Sequence, residues 1–148
     1  MNTIFSKPFL ITLFLKQNKH HQHSVLGHTL KVAYSAVRMK HYRFIIPALF
    51  HDVGKPYSAY QDDGDKLDGT YSFTNHEELS WHIVKRWFFL SDWTKDVIRY
   101  HYLVRDMHLC EKRGKTARLN RIQKRWDKLS PELREDLKLF LMIDDAGK

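Results

Sequence analysis

The string Phe50-His51-Asp52-Val53-Gly54-Lys55 sets a histidine beside an aspartate at the end of an almost wholly apolar run that begins near Arg43. Ionised groups in such a place are costly unless they are paired or bind a metal. Imidazole nitrogen with carboxylate oxygen suits Mn, Fe, Co, Ni and Zn, and Mg less well. The dipeptide alone leaves a second reading open, a capping aspartate beside a satisfied core histidine. His28 stands upstream at a distance that accommodates one helix and a return. Asp144 follows Ile143 on the apolar side of the last predicted helix, where a carboxylate calls for a cation. The chain has 10 histidines in 148 residues, which points the same way.

These residues need elements to hold them, and the pattern is mostly helical. Residues 7–17 read as a first helix and 18–27 as a polar loop. Leu30, Val32, Ala33, Ala36, Val37 and Met39 recur at helical spacing over 28–40. Arg43 to Asp52 should lie deep in the core, with Pro47 at a first turn or kink. Gly54, followed by Pro56, reads as a helix stop. Residues 56–74 carry turn chemistry (Asp62-Asp63-Gly64-Asp65, Asp68-Gly69) and predict a loop or small hairpin near the mouth of the site. A helix is expected over 75–89, capped by Asn75 with Glu78 three residues on. Another starts at Ser91 or Asp92 and carries Val97, Ile98, Tyr100 and Leu103. Residues 112–128 are basic and helical in their second half. Ser130 caps the last helix, with Pro131 at its first position and Leu133, Leu137, Phe140, Leu141 and Ile143 on its apolar face.

His28-Thr29-Leu30, then His51-Asp52-Val53-Gly54-Lys55, then a late Asp144 resembles the HD-domain superfamily of metal-dependent phosphohydrolases, over roughly residues 24–146. The HD domain attached to some bacterial CCA-adding tRNA nucleotidyltransferases looks similar. In those domains a further histidine follows a loop and another comes late in the next helix, positions matched here by His76 and His101. No nucleotidyltransferase domain lies within this sequence, so the likeness does not make it a tRNA-maturing polymerase.

The resemblance implies an all-α fold: a single HD-domain helical bundle of about six to seven helices, with the loop or hairpin at 56–74. It implies one or two divalent ions (Mn, Fe, Co, Ni, Mg or Zn). His28, His51, Asp52 and Asp144 would hold the first, and Asp52 would bridge to a second held by His76 and His101. Asp145 is the fallback for Asp144, though Leu137, Leu141 and Asp144 share one face. Asp52 and the metals would hold a hydroxide in line with phosphorus. Lys55 would bind substrate and steady its charge, and His76 or His108 would protonate the leaving oxygen. The implied activity is hydrolysis of a nucleotide or RNA-end phosphate ester, as a phosphodiesterase (2′,3′-cyclic esters included) or a nucleotidase. An HD-scaffold di-iron oxygenase and a non-catalytic nucleotide- or RNA-binding module are the alternatives.

Bulk properties set the remaining bounds. The hydrophobic fraction of 43% sustains one folded domain. A formal charge of +8 favours anionic partners, a nucleotide or RNA. Arg118, Arg121 and Arg125 fall on one helix side as a candidate phosphate-binding stripe, within a basic run that is otherwise a solvated face. His108 stands two helical turns after His101 and is a candidate pocket residue. His20, His21 and His23 read as a solvated loop, His41 and His82 as structural. Cys110 is the single cysteine, so no internal disulfide is expected. Phe9 to Leu15 is far short of the ~20 residues of a membrane span; no membrane association and a cytoplasmic location are expected. Trp81, Trp87, Phe88 and Phe89 read chiefly as core residues, and the oligomeric state is left open.

Overall fold

The computed structural model describes Phe14, Gln17, residues 24–69 and residues 71–148. The readings made for the rest of residues 7–23, including His20, His21 and His23, lie outside the described residues. Gln17, expected at the end of a first helix, instead forms an isolated parallel bridge with Tyr71.

Helix α1 spans Val25–Arg38. It begins three residues before His28 because Ser24 caps it, accepting from the Gly27 amide at 3.2 Å. Its inward stripe is Val25, His28, Val32 and Ala36, all buried. Leu30 and Val37, expected on that face, are 55% and 43% exposed. A 3₁₀ turn (Tyr42–Phe44) leads into α2, Ile45–Phe50. After a turn at residues 51–54 come α3 (Lys55–Ser58) and strand β1 (Ala59–Tyr60). Helix α4 (Asp63–Asp68) stands at the tip of a ribbon closed by β2 (Ser72–Phe73). The strands are antiparallel, Ala59 opposite Phe73 and Tyr60 opposite Ser72, which is the small hairpin expected over 56–74.

Helix α5 (His76–Val84) follows, then α6 (Asp92–Tyr100), α7 (Leu103–Lys112), α8 (Thr116–Trp126) and α9 (Pro131–Asp145). Among the described residues six helices reach nine residues or more, in keeping with the expected bundle. The cap at Ser130 forms as read, accepting from the Leu133 amide at 3.2 Å.

Helix α9 is the central rod. Leu137, Phe140 and Ile143 are fully buried. Phe140 and Ile143 pack with Val32, Ala36, Phe44, Ala48 and Val97, while Leu137 packs with Leu103, Val104, Ile122 and Trp126. Each such side chain contributes roughly 1.5–3 kcal/mol through burial. Asp144 lies four residues after Phe140 and seven after Leu137, so the packing of this face carries it inward.

Several expectations need correction. Asn75 does not form a capping box. It adopts the left-handed conformation (φ 54°) and makes no side-chain cap bond, and Glu78 instead meets Arg99 of α6 at 3.0 Å. Helix α5 stops at Val84, and the chain turns through Trp87 to leave Phe88 and Phe89 96% and 63% exposed rather than in the core. Gly54 is not a left-handed helix stop, since its φ is −81°. Its role is close approach: a Cβ there would lie 2.4 Å from the His76 carbonyl oxygen and 2.5 Å from the Ser80 nitrogen. Among the described residues no helix is long and apolar enough to cross a membrane.

Candidate metal centre

Six elements or their ends deliver seven polar side chains to one buried spot. His28 comes from the first turn of α1, and His51 and Asp52 from the turn after α2. Lys55 opens α3, His76 opens α5, His101 follows α6 directly, and Asp144 ends α9. All seven are buried.

The ring orientations follow from the backbone. His51 Nδ1 lies 2.7 Å from the Ala48 carbonyl oxygen, and His101 Nδ1 2.6 Å from that of Ile98. Those carbonyls belong to final helical turns, where such groups lack an in-helix partner. His76 Nδ1 faces the Phe73 carbonyl at 3.3 Å, and His28 Nδ1 faces that of Gly147 at 3.2 Å. The Gly147 backbone can come so near because its missing side chain would stand 2.6 Å from Val32. A ring nitrogen held against a carbonyl must be the donor, so in the neutral rings the Nε2 lone pair points the other way, into the cluster. This is how metal-ligating histidines are usually held.

The Nε2 atoms meet carboxylate oxygens. His28 Nε2 is 2.9 Å from Asp144 Oδ1 and 3.6 Å from Asp52 Oδ2. His51 Nε2 is 3.2 Å from Asp52 Oδ2 and 3.5 Å from Asp144 Oδ1. The other Asp52 oxygen, Oδ1, faces His76 Nε2 at 3.4 Å and His101 Nε2 at 3.9 Å. These approaches are short but not along hydrogen-bonding directions. His51 Nε2, both Asp52 oxygens and Asp144 Oδ1 are buried with no hydrogen-bond partner. Of these, Asp52 Oδ2 has a lysine beside it, Lys55 Nζ at 2.7 Å, yet so many buried polar atoms without hydrogen bonds in one place are costly for protein alone. Ligation of a metal ion at this spot would give such atoms partners. Two triads have the spacing for one: His28, His51 and Asp144, and His51, Asp52 and His101, each with donor atoms within 4.8 Å of one another.

The electrostatics agree. Burial alone would depress the His51 pKa, but the Asp52 carboxylate, with Asp144, overrides it and lifts it to about 10. Burial would raise Asp52, yet the His51 and Lys55 charges hold it well below the usual carboxylate range. Asp144 is likewise held low, its burial outweighed by His28 and His51. His76 is kept well below the ordinary histidine range by burial, despite Asp52. His101 is lowered to about 4 by burial and then by the His51 charge. The metal-free cluster therefore takes a proton on His51.

A pH dependence follows. His51 stabilises the metal-free fold fully below pH 6.5, and this contribution is lost as pH rises through about 10. His76 and His101 act oppositely, and their contribution is lost as pH falls below 6.5. The cluster's contribution should thus decline on both sides of about pH 6.5 in thermal melts of chelator-treated protein. Metal uptake at pH 7–8 should release about one proton per cluster, from His51. Calorimetric titration in buffers of different ionisation enthalpy measures it, and a buffer-independent heat would contradict this account.

The model of the HD domain family matches residues 25–132, nearly three-quarters of the chain. The chain belongs to the HD domain family. Membership places it in a superfamily of metal-dependent phosphohydrolases, and the His/Asp cluster is compatible with metal binding. No curated protein and no solved structure matched. Asp144 lies beyond the matched span, so its place in this HD domain comes from the structure. Asp145, the alternative, points elsewhere and meets Arg105 and Lys148 at 2.9 and 2.5 Å.

Two cavities adjoin the cluster of this HD domain. The first, about 650 Å³, is walled by the cluster and by five cations: Lys55, Arg105, Lys112, Arg113 and Lys148. Lys55 is fixed by Asp52 Oδ2 at 2.7 Å and by Gln17 Oε1 at 2.6 Å. The second cavity, about 430 Å³, shares Phe73, His76, Tyr102 and Arg113 with the first.

The structure brings only part of the predicted substrate set here. Arg118 lines the second cavity but is paired with Asp106 at 2.8 Å. Arg125 is drawn toward Glu78 at 3.9 Å, and Arg121 is exposed; neither lines either cavity. His108 is exposed and lines neither. Its two-turn offset from His101 assumed one continuous helix, whereas the chain breaks at His101–Tyr102 between α6 and α7.

Arg105 was missed. Its guanidinium bridges Asp144 Oδ2 at 2.8 Å and Asp145 Oδ1 at 2.9 Å, leaving Asp144 Oδ1 to the cluster. No local pattern marks it, because its partners lie 39 and 40 residues away. Arg105→Ala should weaken metal binding about 10- to 100-fold, as loss of such supporting groups does. Competition with a chromogenic chelator measures this, and unchanged affinity would show that Asp144 needs no such support.

Proposed function

We propose that this chain hydrolyses a phosphate ester of a nucleotide or an RNA end. In this reading His28, His51, Asp52 and Asp144 hold one divalent cation, and Asp52, His76 and His101 hold a second. One observation carries it: buried imidazole and carboxylate atoms without hydrogen-bond partners converge on the wall of a cavity lined by five cations. A divalent cation in such a site supplies Lewis acidity toward water and toward a phosphoryl oxygen.

The chain's own groups do the rest. Lys55 and Arg105, both anchored, present positive charge where a phosphoryl group gains negative charge. Lys112, Arg113 and Lys148 draw the anion in and hold it. Asp52, with one oxygen toward each set of histidines, would help either set hold a cation. His76 is better suited to a ligand's role than to the acid's role first considered, since burial keeps it neutral and its Nε2 faces Asp52. A small nucleotide fits better than a long RNA strand, because the arginines of α8 are partly spent on Asp106 and Glu78.

The test is metal analysis of the purified protein, followed by assay on nucleoside monophosphates, cyclic nucleotides and 2′,3′-cyclic phosphates with the best-bound metal. Turnover of one class with metal dependence is expected. Bound iron with oxygen uptake and no ester turnover would favour the oxygenase alternative. Metal and nucleotide binding without any turnover would favour a binding module.

A further inference from the structure

The second cavity opens off the same wall as the first, sharing Phe73, His76 and Tyr102, and adds two carboxylates of its own, Glu77 and Asp106, beside Lys115 and Arg118. Asp106 is committed to Arg118. Glu77 is not so committed: among the described residues no lysine or arginine pairs with it. Among the described residues the ionic group within 4 Å of it is His76, whose Nδ1 lies 3.6 Å from Glu77 Oε2, while Arg118 and Arg125 act on it from further away. The far nitrogen of that ring, Nε2, is 3.4 Å from Asp52. A single imidazole thus separates the cluster from a partly buried carboxylate that faces a polar cavity.

We propose that the second cavity seats the nucleoside of a ribonucleotide whose phosphate occupies the first, with Glu77 accepting hydrogen bonds from the ribose hydroxyls. This rests on the phosphate reading of the first cavity. In a nucleotide the sugar is the group next to the phosphate, so a carboxylate one imidazole away from the phosphate site meets sugar rather than base. A carboxylate is acceptor-only, with room for both donors of a vicinal diol. Phe73 and Tyr102, at the junction of the cavities, offer ring surface to the nucleoside. Thr74 and Asn75 line the cavity with exposed side chains, the amide of Asn75 left free of any capping bond, and they are placed for the edge of a base.

The experiment is calorimetric titration of the full, Mn²⁺-loaded chain with the hydrolysis-resistant 5′-methylenephosphonates of adenosine and of 2′,3′-dideoxyadenosine. The ribose compound should bind about tenfold tighter or better, the discrimination expected of a charged acceptor. In Glu77→Leu the ratio should fall to about twofold or less, within the spread of an uncharged contact. Equal affinities in the native protein would overturn the proposal, and that comparison needs no variant to fold. A preference retained in Glu77→Leu would remove Glu77 from the role, and no binding of either compound would overturn it outright. Turnover of phosphate esters is measured separately. Ribose selectivity without turnover would sink the hydrolase reading and leave the subsite standing, whereas turnover without selectivity would do the reverse.

Discussion

Asp52→Asn should lower kcat/KM by roughly 1,000-fold or more on whichever phosphate ester proves to be the substrate, and should empty the site of its metals. Among the described residues Asp52 alone has one oxygen toward each histidine set, Oδ2 toward His28 and His51 and Oδ1 toward His76 and His101. Asparagine keeps the shape but loses the charge, and its amide nitrogen cannot ligate. The loss therefore falls on both proposed cation positions at once. Lys55 would also lose its buried counter-ion at 2.7 Å. Metal stoichiometry by plasma emission spectrometry, with steady-state kinetics, checks the result. Turnover within a few-fold of the native protein would end the metal-hydrolase reading.

The second large effect is on stability. Gly54→Ala should destabilise the fold by about 3 kcal/mol or more, at or above the upper end of usual overpacking costs. The added methyl would stand 2.4 and 2.5 Å from backbone atoms of His76 and Ser80, and a backbone cannot swing aside as a side-chain tip can. The Gly54 amide also donates to Ser80 Oγ at 2.8 Å, tying the same two elements together. Relief requires α5 to move away from the turn that holds His51 and Asp52. His76 opens α5, so even a folded variant should bind the second cation more weakly. Urea unfolding curves give the first quantity and metal titration the second. A variant as stable as the native protein would show that the two backbones are not packed as described.

Local pattern made much of this legible. The start of the last helix was readable to the residue, because Ser130 and Pro131 act within one turn, and its inward face followed from the Leu137–Phe140 spacing. His51-Asp52 declared itself, since ionisable groups at the end of a buried run call for a partner. The misreadings share a cause. Gly54 looked like a helix stop because a glycine's usual reason is conformational, whereas here α5 approaches from 22 residues further on. Asn75 with Glu78 had the letters of a capping box, but Arg99, packed 3.9 Å over Trp81, takes Glu78. His108 was projected along a helix that in fact ends at Tyr100.

Residue types and their spacing were enough to establish a helical HD domain and the chemical nature of its cluster, because ligand chemistry and helix periodicity are local properties of the chain. Folding alone settled which oxygen of Asp52 faces which histidines, that Arg105 braces Asp144, and that five cations ring the cavity. Those facts depend on distances between helices far apart in the chain. Such distances are set by packing around Leu137, Phe140 and Ile143, and no short stretch of residues encodes them.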